Sequence, residues 1–208
     1  VNNLRKAGFT RDSIRIIPWG IDTEMFLYRE KKLQRPVRFL HIGNLHPVKD
    51  QETLLKAFSI ISEKIESTLT IIGEGVLMSR ILTIIRELQL QNKVTMLNPL
   101  PYEQLPQYYH EGDILLHTSL SEGQCEVVTE AMSAGSLVCG TKVGLMADLQ
   151  DCCISVSVRD HELLAQLVLQ VIHDADKFSV IKERAHQWTE NHSIHWTIER
   201  LSELYRSV

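Results

Sequence analysis

The sequence predicts an α/β protein built on a doubly wound parallel sheet, with extra helices at the C-terminal end. Two observations carry this. Short, near-continuous apolar runs recur along the chain, as expected of strands buried on both faces. Between them lie segments with helical periodicity, and strands alternating with helices form a parallel sheet joined by right-handed crossovers.

The elements follow in order. Residues 1–36 hold "IIPWGIDTEMF" and then the charged "YREKKLQRP", and read as a hinge or linker segment. "VRFLHIG" (37–43) is the first strand. In "DQETLLKAFSIISEKI" the residues Leu54, Leu55, Ala57, Phe58, Ile61 and Ile65 recur at three and four, which gives a helix that Asp50 can cap. "TLTIIGEG" (68–75) is the second strand, and "LMSRILTIIRELQL" repeats the helical pattern with Leu77, Ile81, Leu82, Ile85 and Leu88. "KVTML" (93–97), "DILLHTS" (113–119), "SLVCGT" (136–141) and "CISVSV" (153–158) are further strands. A helix runs from about Cys125 to Ala134, and residues 160–206 are helical. Residues 37–190 form the ligand-binding domain and 191–208 a closing helix. No repeat or low-complexity tract interrupts this order.

Composition limits the function. With 208 residues, 44% of them hydrophobic, the chain can bury one sizeable core, roughly 70% of its unfolded surface. A net charge of −4 and an isoelectric point near 6.1 give no support to general nucleic-acid binding. No apolar run nears the ~18 residues of a membrane span, and no secretory signal is visible. Cys125, Cys139, Cys152 and Cys153 form no C-x-x-C pair and fit a reducing cytoplasm. The chain begins with Val1, so a piece of a longer protein is expected.

In a doubly wound sheet, ligands sit outside the carboxyl ends of the strands, which ranks the loops. In "GNLHPVKD", Gly43 ends a strand and allows close backbone approach, and Lys49 lies beside the free N–H groups of a helix start, suited to phosphate. The spacing is not that of a Walker A loop, and a solvated lysine is the ordinary alternative. Gly73, Glu74 and Gly75 follow the second strand as a ligand loop or a tight turn. "SEGQCEVVTEAMSAG" (121–135) places Glu122 in a loop and Glu130 within a helix. Either carboxylate can accept bonds from the vicinal hydroxyls of a sugar or ribose. The N–H groups of residues 123–126 suit a diphosphate. The alternative is a plain helix with Glu126 and Glu130 on its wet face. His117 can line the crevice. His186, His192 and His195 lack an accompanying Asp/Cys set and read as helix-surface residues. Ser119 and Ser121 sit in no G-x-S-x-G elbow.

Taken together, these loops resemble the donor-binding half of GT-B glycosyltransferases, specifically family 4 (group 1 glycosyl transferases). "IIPWGIDTEMF" is similar to the family's I-P-N-G-V-D-x-x-x-F hinge, and "IGNLHPVKDQETLLKAF" to its G-R-L-x-x-x-K-G segment and helix. "LTIIGEGVL" is similar to I-x-G-x-G-P-L, and "YEQLPQYYHEGDILLHTSLSEG" to E-L-P-x-x-Y-x-x-A-D-x-x-x-x-P-S-x-x-E-G. "EGQCEVVTEAMSAGSLVCGTKVG" resembles E-G-F-G-x-x-x-x-E-A-M-A-x-G-x-P-V-x-x-x-x-x-G.

The resemblance implies a Rossmann-like domain and transfer of a sugar from a nucleotide sugar (UDP- or GDP-linked), with retention and without a metal or other cofactor. Lys49 would contact the donor diphosphate and Glu122 the sugar hydroxyls, the pair counted as catalytic. Backbone at Gly123, Gln124, Cys125 and Glu126 would hold sugar and phosphate, and Glu130 the ribose. Gly43, Asn44, Gly73, Glu74, Gly75, Pro99 and Leu100 would border the nucleotide. A glycan or lipid-linked acceptor would bind through an absent N-terminal domain, leaving this chain alone inactive, cytoplasmic, and in full length peripheral at the inner membrane face. Departures stand at Asn44 (usually arginine), Gln124 and Cys125 (usually Phe and Gly), Trp19 (Asn) and Asn98 (Gly). Two other readings stay open: a non-catalytic nucleotide- or partner-binding relic, and a nucleotide-sugar epimerase.

Overall fold

The computed structural model describes residues 6–10 and 14–206, so the expectations for 1–5, 11–13 and 207–208 lie outside the described residues. Six strands form one sheet: β1 (Val37–Ile42), β2 (Ser67–Ile72), β3 (Val94–Leu97), β4 (Ile114–His117), β5 (Leu137–Thr141) and β6 (Ile154–Val156). Their order is β3-β2-β1-β4-β5-β6 and every pairing is parallel. The helices are α1 (Gln51–Lys64), α2 (Met78–Glu87), α3 (Leu105–Glu111), α4 (Glu126–Ser133), α5 (His161–Ile172), α6 (Ala175–Asn191) and α7 (Ile194–Arg206).

Side chains alternate across a strand, and here both faces are apolar. Phe39, Ile71, Leu116 and Cys139 point into one core, with Leu54 and Phe58 of α1, Ile81 of α2 and Leu164 of α5. Their neighbours Leu40, Ile72, Leu115 and Val138 point into the other, with Tyr109 of α3, Val128 and Met132 of α4 and Ala185 of α6. Truncating a fully buried ring such as Phe58 to alanine removes contacts worth about 3–5 kcal/mol. Among the described residues no helix is long and apolar enough to cross a membrane.

Several boundaries differ from the sequence expectation. The second strand stops at Ile72, because Gly73 and Gly75 turn the chain. The fourth stops at His117, where Thr118 and Ser119 turn their hydroxyls onto neighbouring loops. The sixth spans only 154–156, since the chain turns at Ser157–Asp160. Asp50 precedes α1 but does not cap it. Its backbone is left-handed (φ 45°) after the 3-10 turn Pro47–Lys49, and its carboxylate accepts from Thr53 Oγ1 at 2.7 Å instead.

Residues 6–10 are exposed, but parts of the later N-terminal segment pack on the domain. Phe26 is fully buried, edge-on to Tyr109 and Tyr102. Lys31 Nζ donates to the carbonyls of Tyr109 and Gly112 and to Ser136 Oγ. Ile21 bridges to Ser193, and Thr197 Oγ1 donates to Pro18 O at 2.8 Å, which ties the segment to α7.

Candidate active site at the sheet's switch point

The chain runs outward from β1 to β3 and returns to the other side of β1 as β4. The loops leaving β1 and β4 therefore lie side by side at the carboxyl ends, where the strand order reverses and such sheets bind their ligands. Lys49 comes from the first loop and Glu122 from the second, and they meet: Lys49 Nζ lies 2.6 Å from Glu122 Oε1.

The loop after β1 is shaped from two sides. Leu45 N–H donates to Glu74 O and Leu77 N–H to Leu45 O. This close approach requires the two glycines of the second loop. A Cβ on Gly73 would meet Gly43 O at 2.1 Å, and one on Gly75 would meet Leu45 O at 2.4 Å. From the other side, Thr118 Oγ1 donates to the carbonyls of Lys49 and Asp50, and Leu120 N–H to Val48 O. A Cβ on Gly43 would find only His41 and the Lys49 stem, both near 4 Å, so space remains beside Lys49.

Glu122 is held by three groups. Its Oε1 accepts from Lys49 and from Ser119 Oγ (2.7 Å) and lies 3.4 Å from His117 Nε2. The His117 contact, then Lys49 and Ser119, outweigh burial and bring its carboxyl down to about 2. Behind the loop, Gly144 (φ 52°) packs so closely that an added Cβ would meet Glu122 Cβ at 2.8 Å. Cys125 has φ 77°, and its Sγ lies 3.3 Å from His117 Nε2. Burial, with the Glu122 charge, pushes this thiol up to about 12. No side chain caps α4; Val128 N–H turns back to Cys125 O at 3.2 Å, and the rest of the helix start is of the kind that suits an anion.

Glu130 is not on a wet face. It is 2% exposed and accepts from Tyr109 OH at 2.5 Å. Burial raises its pKa, against the hydrogen bonds of Tyr109 and Tyr102. Glu126, one turn earlier, is exposed. Thus Gly43, Lys49, Glu122 and the 123–125 backbone come together, while Glu130 lies beneath the tyrosines. Asn44 is exposed, its carbonyl taking Gln51 Nε2. Glu74 and Pro99 are exposed on neighbouring loops, and Leu100 is half-buried. Gln124 turns away to the Trp19 backbone.

Sequence reasoning missed Ser119, Tyr109, Tyr102 and Gly144; the tyrosine and the last glycine of the quoted motifs were the available signals for Tyr109 and Gly144. His186 stacks on Tyr28 and His192 on Trp188, while His195 is exposed. Among the described residues, His117, Glu122 and Cys125 bring their ligand atoms within 4.8 Å of one another, but the Cys125 sulfur, 3.7 Å from His117 Nδ1 as well as 3.3 Å from Nε2, sits beside the ring, so the spacing does not fit one metal.

The chain is similar to several known proteins. The yeast phosphatidylinositol N-acetylglucosaminyltransferase GPI3 subunit (Saccharomyces cerevisiae strain YJM789) is 27% identical over 151 residues, covering 69% of this chain and 33% of the relative. The N-acetyl-alpha-D-glucosaminyl L-malate synthase of Bacillus anthracis is 25% identical over 151 residues, covering 71% of this chain and 39% of that protein. The chain thus spans between a third and two fifths of these relatives' length. In fold it matches Anabaena Alr3699/HepE, solved with UDP, at a TM-score of 0.86 and 20% identity, over 100% of this chain and 61% of that one. The C-terminal domain of the Francisella tularensis group 1 family protein LpcC matches at 0.74 and 18% identity, over 84% of this chain and 100% of that one. The family described as glycosyl transferases group 1 matches residues 26–192, and the chain belongs to that family.

Proposed function

We propose that this chain is the donor-binding part of a retaining, metal-independent glycosyltransferase. It takes a UDP- or GDP-linked sugar and serves a glycan or lipid-linked acceptor. The observation that carries this is the Lys49–Glu122 pair at the switch point. An ammonium and a carboxylate that neutralise each other in the free protein are each available to a ligand carrying both a diphosphate and hydroxyls. Lys49 moves to the diphosphate, where the uncapped start of α4 adds its N–H groups. Glu122 is freed to accept from sugar hydroxyls. Positive charge and the helix dipole then stabilise the leaving diphosphate. Glu130 serves the ribose once Tyr102, partly exposed above it, gives way. HepE has been solved with UDP and with UDP-glucose, which supports uridine as the first base to try. Because the chain spans a minority of its relatives' length, it binds nucleotide but does not turn over alone.

The test is calorimetric titration of the chain with UDP, GDP and ADP, repeated with Lys49→Ala and Glu130→Ala. Selective binding of one nucleotide is expected, weakened by about tenfold or more in Lys49→Ala, since a hydrogen bond to a charged group contributes about 1.5–3 kcal/mol. Binding untouched by either substitution would sink the proposal and favour a relic that binds elsewhere.

A further inference from the structure

His117 ends β4 beneath the site and is 1% exposed. Its place is fixed, since a Cβ on Gly140 of β5 would meet His117 O at 1.7 Å. Four titratable groups face it. Glu122 Oε1 lies 3.4 Å from Nε2, and Lys49 Nζ lies 2.6 Å beyond, on the same oxygen. Cys125, at the start of α4, sets its sulfur beside the ring, and the charges of His117 and Lys49 are felt at His41 of β1. At neutral pH the Lys49 ammonium balances the Glu122 carboxylate. Cys125 keeps its proton, with its thiol pushed up to about 12 by burial, and His41 stays neutral, pushed down by burial to about 4.

We propose that His117 is a positioning residue that takes up a proton when a nucleotide sugar binds, and so replaces Lys49 as the cation beside Glu122. This rests on the donor-binding reading above, in which Lys49 turns to the diphosphate. Glu122, its side chain 13% exposed, then keeps its charge with hydroxyl donors alone, and the diphosphate adds more negative charge nearby. Both changes favour a cation at the imidazole. Cys125 already holds its proton. His41 is engaged at both nitrogens, by Leu116 O and by the Gln51 amide. His117 is the neighbour left to gain one. An ionised carboxylate only accepts, so the ring turns Nε2–H to Glu122. The proton from solvent adds at Nδ1, whose neighbour is the neutral Cys125 sulfur at 3.7 Å. Lys49 thus leaves with the ligand while a fixed imidazolium holds Glu122 toward the sugar. The complex carries one proton more than the free protein, so binding tightens as pH falls.

Calorimetric titration of the 208-residue chain with UDP-glucose and GDP-glucose at pH 8, in two buffers of different ionisation enthalpy, counts the protons taken up. Both ligands carry a diphosphate esterified at each end, which does not titrate in this range. Wild type is expected to take up about one proton with the donor it binds and to lose up to about tenfold in affinity per pH unit. His117→Gln keeps an N–H donor for Glu122 but cannot be protonated. It should bind without that uptake and with a flatter pH profile. Glu130 is present in both proteins, so the difference between them belongs to His117. Ring-nitrogen NMR of the wild type reads the same event without a variant, as His117 turns from imidazole to imidazolium on adding donor. Equal uptake in wild type and His117→Gln, or a neutral His117 in the complex, would overturn the assignment and leave the donor site standing. No binding of either nucleotide sugar would overturn both.

Discussion

Gln124 and Trp19 hold each other by two hydrogen bonds across 105 residues of chain: Trp19 N–H donates to Gln124 Oε1 at 2.7 Å, and Gln124 Nε2 donates to Trp19 O at 2.6 Å. Both positions depart from the resembled family pattern, and the departures touch. An amide side chain satisfies one backbone donor and one backbone acceptor at once, which neither phenylalanine nor alanine can do. Gln124→Ala should therefore speed hydrogen exchange at the Trp19 amide by about tenfold and cost roughly 1 kcal/mol in denaturant unfolding. Unchanged exchange at that amide would show that the contact does not order the segment.

Gly144 and Gly123 flank the same loop but should answer substitution differently. A Cβ on Gly144 collides with Glu122 Cβ at 2.8 Å and must sit at φ 52°, whereas a Cβ on Gly123 meets nothing within 4 Å. Gly144→Ala should cost about 1–2 kcal/mol and displace Glu122, lowering nucleotide affinity. Gly123→Ala should stay within about 0.5 kcal/mol of wild type. Denaturant midpoints and nucleotide titrations on the two variants check this, and equal effects would contradict the packing argument.

Tyr109→Phe removes the hydroxyl that donates to Glu130 at 2.5 Å. A buried carboxylate that loses a donor costs about 1–3 kcal/mol. Burial already raises the Glu130 pKa, so between its unfolded and folded values the folded state holds a proton that the unfolded state has released. Stability from this group is thus present below the unfolded value and lost as pH rises through the folded one. The variant raises the folded value further. Its deficit against wild type should be larger at pH 8 than at pH 5 when midpoints are compared at both.

His41 gives an acid-side prediction of opposite sign. It is fully buried in β1, with Nδ1 on Leu116 O at 3.0 Å and Nε2 3.4 Å from Gln51 Nε2. Burial lowers its pKa from 6.5 to about 4. Between those values the unfolded chain binds a proton that the folded chain does not. Stability is therefore complete above 6.5 and falls as pH drops toward 4, by at most about 3 kcal/mol. His41→Asn retains a donor for Leu116 O and should lose that part of the acid sensitivity. Parallel denaturation curves at pH 4.5 and 7 would detect it.

The sheet was legible because parallel strands buried on both faces leave continuous apolar runs, as in "VRFLHIG" and "DILLHTS". Lys49 and Glu122 were legible because they follow strands in quotable motifs, although nothing in sequence announced that they pair. Glu130 was half legible. Four-residue spacing puts it below Glu126 on one helical stripe, yet Tyr109 of α3 covers the second turn and leaves the first open. Asp50 misled because a good capping residue fell in a left-handed turn. The Gln124–Trp19 contact has no periodicity to betray it, since it joins a loop to a segment read as linker.

Thr118, Ser119 and Leu120 each reach a different part of the crevice. Thr118 holds the carbonyls of Lys49 and Asp50, Ser119 holds Glu122 by its hydroxyl and Thr141 by its carbonyl, and Leu120 holds Val48 O. Three consecutive residues at the tip of one strand thus weld the cationic and anionic walls of the pocket to a common frame. Under the proposed function a nucleotide sugar meets a backbone already fixed, where Lys49 and Glu122 exchange partners and Tyr102 moves off Glu130. The entropy of ordering these loops was spent during folding, which leaves more of each new contact to appear as affinity.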